Sequence, residues 1–174
     1  MSQSTILEFY RGNIRDSRGR TIEDVQAQNT SELEEVHDYI QWMFPLTEKS
    51  AFNPTAPILR AEDIRTFRDD SNLRRRLIAS LQVMLHFYGL QLDTNSDLPS
   101  ITFAPTFDAR ASSWITIGNH NYLRITRILR SLALLGESAH AKAFLTCLED
   151  IFARFPTIIG DRTPHFWTEA LRAG

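Results

Sequence analysis

One cysteine, Cys147, is all the thiol this chain holds, which excludes an intrachain disulfide and thiolate zinc clusters. A reducing compartment is the natural reading, so the chain is expected to be cytoplasmic. Long apolar runs are also missing. Nothing approaches the eighteen or so apolar residues of a membrane-spanning helix, and Met1 to Asn13 is polar where a signal peptide needs an apolar core. Excess charge is absent too: a net charge of −2 supplies no global pull toward nucleic acid or an anionic membrane. There is no glycine-rich phosphate loop and no GxSxG nucleophile turn, and the five histidines show no HxH, HxxxH or HExxH spacing. The residues therefore call for no metal, no cofactor and no named reaction. Lysine is almost lacking: Lys49 and Lys142 stand beside seventeen arginines. Arginine is preferred where a planar fork pairs with a carboxylate or phosphate or stacks on a ring, so the bias points to internal ion pairs or an anion site.

What is present is ordinary globular material, 43% hydrophobic and 23% charged, in a length that fits one domain over residues 1–174. Helical periodicity dominates and strand-like alternation is rare, so the expected fold is all-α, a single-domain helical bundle. Short helices are expected near Thr5 to Arg11 and from Thr21, with a polar loop between them. Ser31-Glu32-Leu33-Glu34 reads as a capping box opening a helix whose face is Leu33, Val36, Ile40 and Met43, stopped by Pro45. An extended connection, Leu46 to Arg60, precedes a short helix near Ala61 to Arg68. Ser71 to Tyr88 forms a longer helix that ends where Gly89 takes the left-handed C′ position. Gln91 to Thr116 reads as a long functional link, and Asn119 as the cap of a central, buried helix near 119–135. Ser138 to Phe155 carries a clean apolar stripe, and Thr163-Pro164 opens a last short helix.

On a wheel at 100° per residue, Ile125, Ile128, Leu129, Leu132 and Leu135 line one side of the central helix, with Leu123 and Leu134 nearly opposite. Between them run His120, Arg124, Arg127 and Ser131. Two guanidiniums and an imidazole beside a helix N-terminus suit a carboxylate or phosphate; the bland use is bridging to carboxylates such as Glu34, Glu35 or Asp38. Asn121 falls inside the apolar arc and must be hydrogen-bonded, either to fix the helix start or to meet a ligand. His37 sits at the edge of its helix's apolar arc, as a part-buried structural histidine or as a partner of His120 in acid–base chemistry. Trp42 projects away from its helix's stripe, to pack on Phe44-Pro45-Leu46 or to wall a pocket; Trp114 poses the same choice. Arg74-Arg75-Arg76 splays around its helix and reads as a solvated face.

Two strings are more distinctive than any helical pattern requires. They are His37-Asp38-Tyr39-Ile40-Gln41-Trp42-Met43-Phe44-Pro45-Leu46 and the run Asn119-His120-Asn121-Tyr122-Leu123-Arg124-Ile125-Thr126-Arg127-Ile128-Leu129-Arg130-Ser131-Leu132. Phe9-Tyr10-Arg11, Ile22-Glu23-Asp24 and Met84-Leu85-His86-Phe87-Tyr88-Gly89-Leu90 fall in the same order. In these pieces, from near residue 6 to about Phe155, the chain resembles the opioid growth factor receptor conserved region. That family is named for a receptor of an enkephalin-type pentapeptide growth factor, associated with the nuclear envelope and with growth inhibition. The resemblance implies a receptor-like, non-enzymatic binding domain taking a peptide, a protein partner or a small anionic ligand. It implies possible membrane or nuclear-envelope association in eukaryotic members, which continue into long tails; this chain reads as a short member. The second reading is an enzyme or anion-binding protein using His37 and His120 with Arg124 and Arg127. The residues singled out for a ligand are His37, Trp42, His120, Asn121, Arg124 and Arg127.

Overall fold

In the computed structural model, residues 4–93 and 98–172 are described. The chain is mostly helical and groups into two compact units, Met1–Ser80 and Leu81–Gly174. The first holds α1 (Thr5–Tyr10), α2 (Ile22–Gln26), α3 (Thr30–Glu35), α4 (Ile40–Met43), α5 (Ala61–Asp69) and most of α6 (Ser71–Tyr88). The second holds the end of α6, β1 (Leu90–Asp93), β2 (Ser100–Phe103), α7 (Phe107–Trp114), α8 (Asn121–Leu134), α9 (Ser138–Arg154), α10 (Pro156–Ile159) and α11 (Arg162–Leu171).

Most of the first unit's helices are too short to stand on propensity, because nucleation is costly and few bonds follow it. Side chains close their ends. In α2, the Thr21 hydroxyl accepts from the Asp24 amide while the Asp24 carboxylate accepts from the Thr21 amide. The same device opens α3, but at Asn29 and Glu32: Asn29 Oδ1 accepts from the amides of Ser31 and Glu32, both at 3.0 Å, and Glu32 accepts from Asn29 N. The capping box read at Ser31 and Glu34 therefore lies two residues too late. The expected continuous helix to Met43 is also broken, since Val36 is extended (φ −95°, ψ 131°) and α4 restarts at Ile40. Tertiary bonds reward the break. Asp38 is drawn to Arg18 and Arg20, and the Tyr39 hydroxyl donates to Leu33 O. Rings fill the unit's interior: Phe9 meets Trp42 at 5.0 Å between centroids, and Tyr10 meets Phe67 edge-on at 4.8 Å. The Tyr10 hydroxyl donates to Met43 O.

The second unit is built from longer amphipathic pieces. Its helices α8, α9 and α11 pack against one another, and β2 lies against α9. Nine of the fourteen α8 residues are buried, against five of seventeen in α9, so α8 is the deeper helix as expected. Two corrections fall here. The expected link Gln91 to Thr116 contains structure: β1 and β2 pair antiparallel, Leu90 opposite Phe103 through Asp93 opposite Ser100, and α7 follows. The fold is thus not purely all-α. Residues Thr94 to Asp97, part of the turn cluster read inside that link, lie outside the described residues. Gly89 does take positive φ (+77°), and a Cβ there would lie 2.7 Å from the Phe107 Cα. Only glycine lets the α6 end pass so close to α7. Trp114 is a packing residue, fully buried against Tyr88, with its indole N–H donating to Tyr88 O at 3.1 Å.

Candidate functional site

The residues singled out from sequence fall in both units, four on the first turns of α8 and two around α4. At the start of α8, Asn119 does the capping work as expected, but from one position before the helix's cap residue. His120 is the cap residue by backbone geometry, while Asn119 Oδ1 accepts from Asn121 N at 2.9 Å and from Asn121 Nδ2 at 3.0 Å. Asn119 is itself held through its Nδ2, which donates to Thr116 Oγ1 at 2.9 Å. One of the helix's orphan amides is therefore already filled by protein. Asn121 is fully buried, and its Oδ1 accepts from Arg124 NH1 at 3.2 Å. Arg124 is only 5% exposed. Burial of so large a cation requires donors to be satisfied, and the Asn119–Asn121–Arg124 chain satisfies part of it on the helix itself.

Arg127 is half-buried and His120 is exposed. Tyr122 fastens this turn to its neighbours. Its hydroxyl donates to Thr116 O at 2.9 Å, its carbonyl accepts from Trp167 Nε1 at 3.3 Å, and the two rings meet edge-on at 6.1 Å. Burial pushes the Tyr122 hydroxyl pKa up, against the smaller opposing effect of the Thr116 bond. Leu123, on the far side of the helix, is 61% exposed.

Around α4, Asp38 holds two arginines. Arg20 NH2 lies 2.8 Å from its Oδ1, and Arg18 Nε pairs with its Oδ2. Arg20 also bonds Asp16, whose side chain is wholly buried and whose Oδ1 accepts from the amides of Arg18 and Arg20 at 2.8 and 2.9 Å. Burial alone would lower the Arg20 pKa; bonds to Asp16 and Asp38 outweigh it and raise the value. Asp38 is therefore engaged by arginines of its own unit. His37, read as part-buried, is exposed. Trp42 is 4% exposed, packs on Phe9, and has an indole N–H with no hydrogen-bond partner among the described residues. Its neighbour Gln41 shares the anomaly. Nε2 donates to Ser50 Oγ at 3.2 Å, while Oε1 is buried without a partner. Gln41 was missed in sequence, because a glutamine on a helix ordinarily faces water and no local pattern marks the exception.

Cys147 is an interior group: burial, with Asp150 adding to it, pushes its thiol up to about 12, so little thiolate forms near neutrality. His140 pairs with Glu137 at 2.8 Å. Among the described residues no group of three or more His, Cys, Asp or Glu is placed to hold a metal ion. Nor, among them, is any helix long and apolar enough to cross a membrane.

Comparison with known proteins identifies the setting of these residues. A family model described as the opioid growth factor receptor conserved region matches residues 1–162. The mouse opioid growth factor receptor is 38% identical over 134 residues, covering 75% of this chain and 21% of that protein. The human receptor is 37% identical over 134 residues, covering 19% of its length, and the frog Xenopus tropicalis opioid growth factor receptor-like protein 1 is 35% identical over 134, covering 25%. In each case the match takes in 75% of this chain. The chain thus spans about a fifth to a quarter of the curated relatives it matches. No solved structure matches it. By the family match across nearly its whole length, the chain belongs to the opioid growth factor receptor conserved-region family.

Proposed function

We propose that this chain is a receptor-type binding domain whose ligand is a peptide of the opioid growth factor kind, and that residues 1–174 act as one ligand-binding module. The observation that carries the reading is the family match over residues 1–162, which takes in both distinctive strings and parts of both units. The mouse and human relatives are named receptors for opioid growth factor. The chemistry of the candidate residues supports a binding role over catalysis. Trp42 offers an aromatic wall with an indole donor to spare, and His37 lies exposed five residues before it. On α8, His120 is open to solvent, while Asn121 and Arg124 form a hydrogen-bonded pair suited to orienting a carboxylate or carbonyl; Arg127 follows one turn later. No nucleophile, carboxylate dyad or metal set accompanies them at a diagnostic spacing. The proposed location is cytoplasmic, supported by the single, buried cysteine.

The test is calorimetric titration of the purified chain with an enkephalin-type pentapeptide, beside the same residues in scrambled order. Saturable heat with the native order only, weakened at least tenfold by Trp42→Phe or Arg124→Met, is the expected result. Equal heats for the two peptides would remove the peptide-receptor reading.

A further inference from the structure

The segment between Pro45 and α5 is a closed loop: the Leu59 amide donates to Leu46 O at 2.9 Å, so residues Leu46 to Leu59 leave and return at one point. Compact loops with tied ends are frequent carriers of function. In this one two polar side chains, Ser50 and Asn53, turn inward, Asn53 being only 7% exposed with its Nδ2 donating to Asp38 O at 3.1 Å. Ser50 Oγ accepts from the amides of Phe52 and Asn53 and meets the Gln41 carboxamide, all at 3.2 Å. Leu46 and Leu59 at its tied ends are buried, but two large apolar side chains between them turn outward: Phe52 is 82% exposed and Ile58 42%.

Gln41 lies under this loop at 5% exposure, and Ser50 satisfies one end of its amide while the other has no partner. Turning the amide over would exchange an unpaired acceptor for an unpaired donor without filling the vacancy. A buried polar atom left unpaired is unfavourable, so the shut loop is held at a cost that an arriving ligand can remove. A main-chain peptide group carries one acceptor and one donor, the complement of a carboxamide in either orientation. We propose that the loop Leu46–Leu59 is a hinged cover, and that the Gln41 carboxamide beneath it binds a main-chain peptide group of an extended peptide ligand. Opening breaks the Gln41–Ser50 and Asp38–Asn53 bonds, and closing over the peptide gives Phe52 and Ile58 apolar side chains to meet. The proposal deepens the peptide-binding reading above and takes its ligand class from it.

The test uses the whole 15N-labelled chain and N-methylacetamide, which is a peptide group and nothing else. Expected are saturable shifts of the Gln41 side-chain NH2 resonances and of the Ser50, Phe52 and Asn53 backbone amides; the backbone shifts should vanish in Gln41→Leu, whose melting temperature stays equal or rises. Asn53→Ala, which unpins the loop, should lower the half-saturating concentration several-fold. Amide hydrogen exchange across residues 47–58 should be faster than in α1 and faster again in Asn53→Ala. The proposal is overturned by any of three results: no saturable shift in wild type or Asn53→Ala, an unchanged response in Gln41→Leu, or loop amides as protected as α1. Its failure is separable from that of the receptor reading. If the pentapeptide fails to bind while N-methylacetamide still titrates Gln41, the receptor assignment falls and the cover stands.

Discussion

The two units of this chain reach stability by different routes. Residues 81–174 rely on length and periodicity: α8 and α9 carry apolar stripes whose members, from Ile125 to Leu132 and from Phe144 to Ile151, are withdrawn from water. There the burial of apolar area supplies the driving force, and each polar bond adds placement. Residues 1–80 rely on closure: reciprocal caps at Thr21 and Asn29, an aromatic cluster, and a carboxylate–guanidinium web linking Asp16, Arg18, Arg20 and Asp38. The contrast teaches that short helices become structural when local side chains finish their ends and contacts from elsewhere in the chain hold them together. It also places both unpaired buried groups of Gln41 and Trp42 in the closure-built unit, where a local change is easiest to accommodate.

Two glycines with the same φ, +77°, sharpen the comparison most strongly. Gly89→Ala meets backbone strain and the Phe107 Cα together, and should cost on the order of 4 kcal/mol. Gly19→Ala has nothing within 4 Å of its new Cβ and should cost only about 1 kcal/mol. Urea unfolding measures both, and similar losses would mean that the α6–α7 approach is not tight.

Asp16→Ala tests the web of the first unit. It removes the acceptor for two amides and the buried partner of Arg20, so a loss of about 3 kcal/mol is expected. A loss below about 1 kcal/mol would show the web to be ornamental and the apolar cluster sufficient.

Arg124→Met keeps length and removes a donor from buried Asn121. The ligand-free protein should lose about 2 kcal/mol, read as a lower melting temperature. An unchanged melting temperature with abolished peptide binding would reassign Arg124 from fold to ligand alone.

Acid gives the smallest effect, and it is local. Bonds from Asn13 and then Arg11 lower the Glu8 pKa, and the Thr21 amide and hydroxyl lower that of Asp24. A lowered folded pKa means stability present above the unfolded value and lost as pH falls through the folded one. Below about pH 4, amide exchange should therefore quicken around α1 and α2 before it quickens in α8. Uniform quickening would break the distinction between the units.

The longer helices, α6 and those of the second unit, were legible because periodicity is a property of the chain itself. The bounds of α6, the stripe of α9, the depth of α8 and the left-handed turn at Gly89 all follow from residue spacing and from glycine's missing Cβ. The hairpin was legible but overlooked, since Leu90 to Asp93 and Ser100 to Phe103 each alternate over only four residues. The family was legible and was read, carried by two strings of unusual side chains. Other features depended on partners far along the chain. The break at Val36 depends on Asp38 finding Arg18 and Arg20, the engagement of Arg20 depends on Asp16 and Asp38, and the burial of Gln41 accompanies a loop whose Ser50 faces it. Local sequence determines which backbone shapes are cheap. Only the folded chain decides which polar groups meet, because that depends on distances between residues the sequence holds apart.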